Sequence, residues 1–161
     1  MALNPKRATE KTILIVEDDT YISEVLVLVI SQETPYQALF VPDAFQALVT
    51  INDIKPDLFL LDYHLPRMNG IELYDRLHAT EGLEHIRAIM ISANLPQQEI
   101  RQRQIVGIRK PFGLDDLLNT IEKVLAWGTM VNEATAWHPD YDQRQEDTKA
   151  NPDKKLLRLI G

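Results

Sequence analysis

Residues 12–19 read Thr-Ile-Leu-Ile-Val-Glu-Asp-Asp (TILIVEDD), a β-branched apolar run that stops abruptly on three acids. An uninterrupted run of this kind suits a strand buried on both faces rather than one with a wet side. The pattern recurs along the chain. Leu58–Leu61 (LFLL) follows Lys55-Pro56-Asp57 and closes on Asp62, Ala88–Ile91 (AIMI) reaches Ser92, and Ile105–Arg109 leads into Lys110-Pro111. Tyr36–Val41 completes a set of five predicted strands.

Helical spacing fills the intervals. Ile22, Val25, Leu26, Val29 and Ile30 predict a helix over about 20–32. Val27 and Leu28 blur that stripe and leave a strand as the competing reading. Asp43 is placed to cap a helix over roughly 44–54, with Ala44, Ala47, Leu48 and Ile51 on one face. Pro66 and Asn69-Gly70 predict a loop and turn over Tyr63–Gly70, followed by a helix over Ile71–His78. Pro96 suits the first turn of a short polar helix ending near Gln104. That segment is nearly devoid of apolar anchors, so a short or loosely docked helix is expected there. Leu117, Leu118, Ile121, Val124 and Leu125 form the stripe of a last helix over Leu114–Trp127.

Strands alternating with helices imply an α/β fold, a parallel sheet covered on both faces. In such sheets ligands bind outside the carboxyl ends of the strands. Glu17, Asp18, Asp62, Ser92 and Lys110 all stand at or just past those ends. Three carboxylates sharing a crevice repel one another, so a cation is the natural neutraliser. Hard oxygen ligands without cysteine or clustered histidine favour Mg²⁺ or Mn²⁺ over zinc. A hydroxyl at Ser92 and an ammonium at Lys110 supply what phosphoryl oxygens require. A carboxylate so placed can attack phosphorus to form an acyl phosphate.

Each feature also has a plainer reading. An acidic run such as Glu17–Asp19 often only complements a helix dipole, and Asp19 is expected to serve that role as an N-cap. A single Asp after a strand is often a turn residue, Ser92 could simply begin a turn, and Lys110 could be a surface lysine. It is their joint placement on one edge that favours chemistry.

The ordered set LIVEDD, LLDYHLPRMNG, IMISAN and RKPF resembles the receiver domain of two-component response regulators, the CheY-like family, over about residues 11–128. The resemblance implies a doubly wound, five-stranded, flavodoxin-like (βα)5 fold with strand order 2-1-3-4-5. It implies Asp62 as phosphoacceptor, with Mg²⁺ (or Mn²⁺) held by Glu17, Asp18, Asp62 and the backbone carbonyl of His64. Ser92 and Lys110 would hold the phosphoryl group, and the Lys110–Pro111 bond would be cis. The His64 side chain, Ala93 and Asn94 are expected to modulate access to Asp62. The implied partners are a histidine kinase or phosphotransfer protein and a downstream protein target, with catalysis limited to the receiver's own phosphorylation and dephosphorylation. The sequence departs from the family at Gly107, where receivers commonly carry an aromatic residue three positions before the lysine.

Among rival functions, a pseudo-receiver would use the same fold as a binding module without phosphorylation. A haloacid-dehalogenase-like phosphatase would need a second Asp where His64 stands, and a flavodoxin-like nucleotide binder would need a Gly-rich loop after the first strand. The 161 residues are 45% hydrophobic and 25% charged, as in a globular protein, with one domain and an appendage expected. A formal charge of −7 argues against nucleic acid or an anionic membrane as the main partner. The chain has no cysteine, no apolar signal-peptide core at its start and no run long enough to span a bilayer, so a cytoplasmic location is expected.

Residues 129–161 fall outside the resemblance. Polar 140–153 reads as a linker or disordered segment, whereas Trp137, Tyr141 and the basic amphipathic end around Lys154–Ile160 suggest docking on the receiver or on a second copy as a homodimer.

Overall fold

The structure is a computed structural model, and it describes residues 10–127. The expectations placed on 129–161 lie outside the described residues. Five strands, β1 (Thr12–Val16), β2 (Gln37–Val41), β3 (Leu58–Asp62), β4 (Arg87–Ser92) and β5 (Val106–Arg109), form one parallel sheet in the order β2-β1-β3-β4-β5. The helices between and after them are α1 (Thr20–Glu33), α2 (Ala44–Thr50), α3 (Gly70–His78), α4 (Gln97–Gln102) and α5 (Leu114–Trp127). The α/β class and the strand order are those expected. Among the described residues, no helix is long and apolar enough to cross a membrane.

The double burial of the strands divides the core in two. Leu14, Val16, Phe59, Leu61, Ala88 and Met90 project to one face, where they meet Ala44 and Ala47 of α2, Leu73 and Leu77 of α3, and Ile100 of α4. Ile13, Ile15, Leu58, Leu60, Ile89 and Ile91 project to the other, against Ile22, Leu26 and Ile30 of α1 and Leu117, Ile121 and Val124 of α5. Alternate residues of one strand thus serve opposite layers, which is why their sequence is continuously rather than alternately apolar. Truncating one such Leu or Ile to Ala typically removes about 2–5 kcal/mol of stability.

The ends of the elements have local causes. Asp19 caps α1 by accepting from the Ile22 N–H at 3.2 Å, and Asp43 caps α2 by accepting from Gln46 N–H at 2.8 Å. Such caps contribute about 1 kcal/mol each. The cap and the buried stripe Ile22, Leu26, Ile30 decide for helix over strand in α1.

Some boundaries differ from expectation. α2 ends at Thr50 rather than near residue 54, because Asn52 and Asp53 donate to carbonyls three residues back, a tightening turn ahead of Pro56. Tyr36 stays out of β2 because its N–H is taken by Thr34 Oγ1 at 3.1 Å. Ile105 stays out of β5 because its N–H closes the end of α4 on Ile100 O at 2.9 Å. α3 begins at Gly70, one residue earlier than expected, because Asn69 accepts from Glu72 N–H at 2.9 Å and so acts as a cap.

α4 is short, as expected, but it is anchored by Ile100 and by the residue past its carboxyl end. Its one apolar residue, Ile100, is buried, and the guanidinium of Arg103 just beyond it forks onto Asp75 of α3 at 2.7 and 2.9 Å. Tyr74 Oη also donates to Arg103 O at 3.2 Å.

Candidate functional site

Strand order reverses direction between β1 and β3, so the crevice for a ligand opens at their carboxyl ends. Val16 pairs with Leu61 there, which brings Glu17 and Asp18 beside Asp62. Carboxylate oxygens of Glu17, Asp18 and Asp62 all lie within 4.8 Å of one another. Glu17 and Asp62 are only 4% and 6% exposed, while Asp18 faces solvent. Lys110, carried past the end of β5, places Nζ 3.5 Å from Glu17 Oε2 and 3.9 Å from Asp62 Oδ2. The Lys110–Pro111 bond is cis.

One ammonium does not balance this group. Burial first, and then the charge of Asp62, push the Glu17 carboxyl up from 4.5 to about 7, against the opposing pull of the Asp19 N–H and Lys110. The cluster therefore carries surplus negative charge in a desolvated place, with all-oxygen donors at one mouth. That donor set fits a hard divalent cation such as Mg²⁺.

Backbone contacts hold the strand ends around Asp62. Asp62 Oδ1 accepts from the His64 N–H at 3.2 Å, and Tyr63 N–H donates to Ile91 O at 3.0 Å. Ser92 is fully buried at the end of β4, and its Oγ is engaged with the backbone N and O of Asn94, both at 3.1 Å. Lys110 N–H donates to Ser92 O at 2.9 Å, so the strands carrying the hydroxyl and the ammonium are tied together. Ala93, Asn94 and the His64 side chain are exposed at this rim, with the His64 ring edge-on to Tyr63 at 5.0 Å. Glu17, Asp18 and Asp62 are thus in mutual reach, Lys110 reaches Glu17 and Asp62, and Ser92 stands at the neighbouring strand end with its hydroxyl turned to its own loop.

Chain length, register and these contacts agree with a match to the family model described as the response regulator receiver domain, over residues 13–122. The chain belongs to the response regulator receiver family. It is 38% identical over 119 residues to the phosphate regulon transcriptional regulatory protein PhoB of Pseudomonas aeruginosa, covering 71% of this chain and 52% of that protein. It therefore spans about half the length of that relative. It is 29% identical over 116 residues to the sporulation initiation phosphotransferase F of Bacillus subtilis, covering 70% of this chain and 92% of that protein. Among solved structures, a CheY-like receiver domain protein from Methanospirillum hungatei superposes with a TM-score of 0.70 at 26% identity, covering 77% of this chain and all of the other. The receiver is a signalling module of two-component systems rather than a metabolic enzyme.

Three residues near the site escaped the sequence reading. Gly70 sits so close to β3 that a Cβ there would lie 2.6 Å from Asp62 O and 3.0 Å from Tyr63 Cα. Its signal was present in Asn69-Gly70, which reads as a turn but also marks a close approach. Arg67 adopts φ 66°, sets its guanidinium 4.9 Å over the Phe45 ring and reaches Asp43 at 3.8 Å, and nothing in its neighbours announces this. Ser23, finally, is a polar residue on the buried stripe of α1, with Leu26 and Ile30.

Gly107, the family departure, has a packing explanation. A Cβ there would lie 2.8 Å from Leu95 Cδ1 and 2.9 Å from Ile100 Cδ1. Two aliphatic side chains, from the β4–α4 loop and from α4, occupy the space above β5.

Proposed function

We propose that this receiver is a phosphoryl-accepting switch in which Asp62 is the phosphoacceptor and a histidine kinase or phosphotransfer protein is the donor. The observation that carries the reading is the Asp62 carboxylate, buried at the central strand end within 4.8 Å of two further carboxylates and 3.9 Å from Lys110 Nζ. Glu17, Asp18, Asp62 and the His64 carbonyl would hold Mg²⁺ (or Mn²⁺), which when bound neutralises the acids and the incoming phosphoryl oxygens. An Asp62 oxygen forms the new O–P bond while the donor's bond to phosphorus breaks, and the departing group keeps that electron pair. Lys110 compensates the transferred charge, and Ser92 leaves its Asn94 contacts to donate to a phosphoryl oxygen. His64, Ala93 and Asn94 at the rim govern how readily water reaches the acyl phosphate.

Residues 11–128 form the receiver in this reading, and 129–161 an extension that docks or mediates homodimer contacts. Output runs through protein–protein contacts in the cytoplasm. The test is intact mass after incubation with Mg²⁺ and acetyl phosphate. A labile phosphoryl adduct that needs the metal and disappears in Asp62→Asn is expected. No adduct with any phosphodonor or metal would assign the chain to the pseudo-receivers instead.

A further inference from the structure

The two residues that follow β1, Glu17 and Asp18, must hold their carboxylates in place without belonging to either a strand or a helix. Glu17 N–H donates to Val41 O at 3.2 Å, and Glu17 Oε1 accepts from the Asp19 N–H at 3.1 Å. Neither bond engages the carbonyl of Glu17, the group whose peptide plane sets where the Asp18 backbone, and so its carboxylate, begins. The group that reaches it comes from a turn and a half further along the chain. Ser23 Oγ lies 3.2 Å from Glu17 O and 3.1 Å from Asp19 O, so its single proton is shared between the two carbonyls that bracket Asp18.

We infer that Ser23 is a positioning residue for the cation site: its buried hydroxyl clamps the carbonyls on either side of Asp18 and fixes the Glu17–Asp18 pair in ligating geometry. The inference rests on the metal reading given above and adds a residue to it. Serines within helices often bond the carbonyl four residues back, which is the Asp19 contact and by itself means little. The reach to Glu17, six residues back and outside the helix, is what distinguishes Ser23. Thr120 supplies the internal contrast. It is likewise buried on a helix and donates from Oγ1 to Asp116 O at 2.6 Å, but Asp116 belongs to its own helix. Groups behind metal ligands commonly change affinity 10–100-fold when removed, because they set the direction of the ligand rather than its charge.

The experiment is Mn²⁺ and Mg²⁺ titration by calorimetry on the full chain, alongside thermal unfolding in chelator, for wild type, Ser23→Ala, Ser23→Cys and Thr120→Val. Ser23→Ala is expected to weaken cation binding about tenfold. Ser23→Cys, with a weaker donor of similar shape, should fall between it and wild type, and it keeps the test open should Ser23→Ala fold poorly. Thr120→Val should bind the cation as wild type does, whatever its melting temperature. Wild-type affinity in Ser23→Ala, or equal loss in Thr120→Val, would overturn the positioning role alone. A wild-type chain that binds neither cation would overturn the metal reading itself, and this inference with it.

Discussion

Two glycines stand on either side of β4, one against the carboxyl end of β3 and one within β5, and they face different kinds of neighbour. Gly70 abuts backbone, with Asp62 O 2.6 Å and Tyr63 Cα 3.0 Å from the Cβ it lacks. Gly107 abuts the tips of Leu95 and Ile100, at 2.8 and 2.9 Å. A backbone carbonyl fixed in a five-stranded sheet has no rotamer to give, whereas a leucine or isoleucine tip does. The side of the molecule that carries Asp62 is therefore built to be rigid. The side that carries α4 is built from replaceable aliphatic contacts.

Adding one methyl to the rigid side should lower stability and cation affinity together. Gly70→Ala would gain about 1 kcal/mol in helix propensity at the start of α3 if space allowed. Instead the methyl must displace either α3 or the Asp62–Tyr63 peptide, which overpacking data put at about 1–3 kcal/mol beyond that lost gain. Since the displaced atoms adjoin the Asp62 carboxylate and the His64 N–H that orients it, cation affinity should fall with stability. Chemical denaturation and Mn²⁺ titration measure the two. A Gly70→Ala chain as stable and as cation-competent as wild type would erase the distinction between rigid and soft flanks.

Electrostatics sharpen the same contrast. Glu17 is raised from 4.5 to about 7 by burial and by Asp62. The folded state thus binds the proton more tightly than the unfolded chain. That contribution to stability is complete below about pH 4.5 and is lost as pH rises through about 7. A shift of this size corresponds to a few kcal/mol at most, at about 1.4 kcal/mol per unit. Glu17→Gln, which keeps the shape and drops the charge, should therefore stabilise the cation-free protein at pH 8 and leave it nearly unchanged at pH 4.5. Cation binding needs the carboxylate, so affinity in the wild type should climb through the same window and be lost in the variant. Parallel melting curves at the two pH values in chelator, with and without the substitution, provide the check. An equal effect at both would mean that burial and the neighbouring Asp62 do not penalise the Glu17 carboxylate.

The rigid side was also the legible one. Acids, hydroxyl and ammonium stand directly after continuous apolar runs, so the sheet rule alone placed Glu17, Asp18, Asp62 and Lys110 together. The strand order was not contained in that rule and followed from the family resemblance. What stayed hidden were contacts between parts distant in sequence or dependent on backbone position. The fork of Arg103 onto Asp75 spans α3 and α4, and no periodicity reports it. The Ser23 bond to Glu17 O needs the exact turn between β1 and α1, although a serine on a buried helical stripe was a readable anomaly. Gly107 was visible as an absence of the expected aromatic, but the sequence could not say that Leu95 and Ile100 fill its place.

That last packing gives the smallest and most diagnostic effect. Gly107→Ala should relieve the entropic penalty of a glycine in a strand, about 0.5–1 kcal/mol, while forcing the two aliphatic tips, 2.8 and 2.9 Å from the new methyl, to shift aside. The two contributions oppose each other and are of like size, so the net change should stay within about 1 kcal/mol. Leu95→Ala, by contrast, removes a buried side chain and should destabilise by about 2–5 kcal/mol. In the double variant the new methyl occupies part of the space that the leucine leaves, so the loss should be smaller than the sum by about 1 kcal/mol. A strictly additive cycle would show that Leu95 does not rest on Gly107. Positive coupling would instead identify the β4–α4 loop as seated on β5 by this contact. Because Ser92 and Asn94 lie in the three residues before Leu95, any movement of the hydroxyl toward a phosphoryl group would then be felt first at that seat, and Leu95→Ala should loosen it without touching the acids.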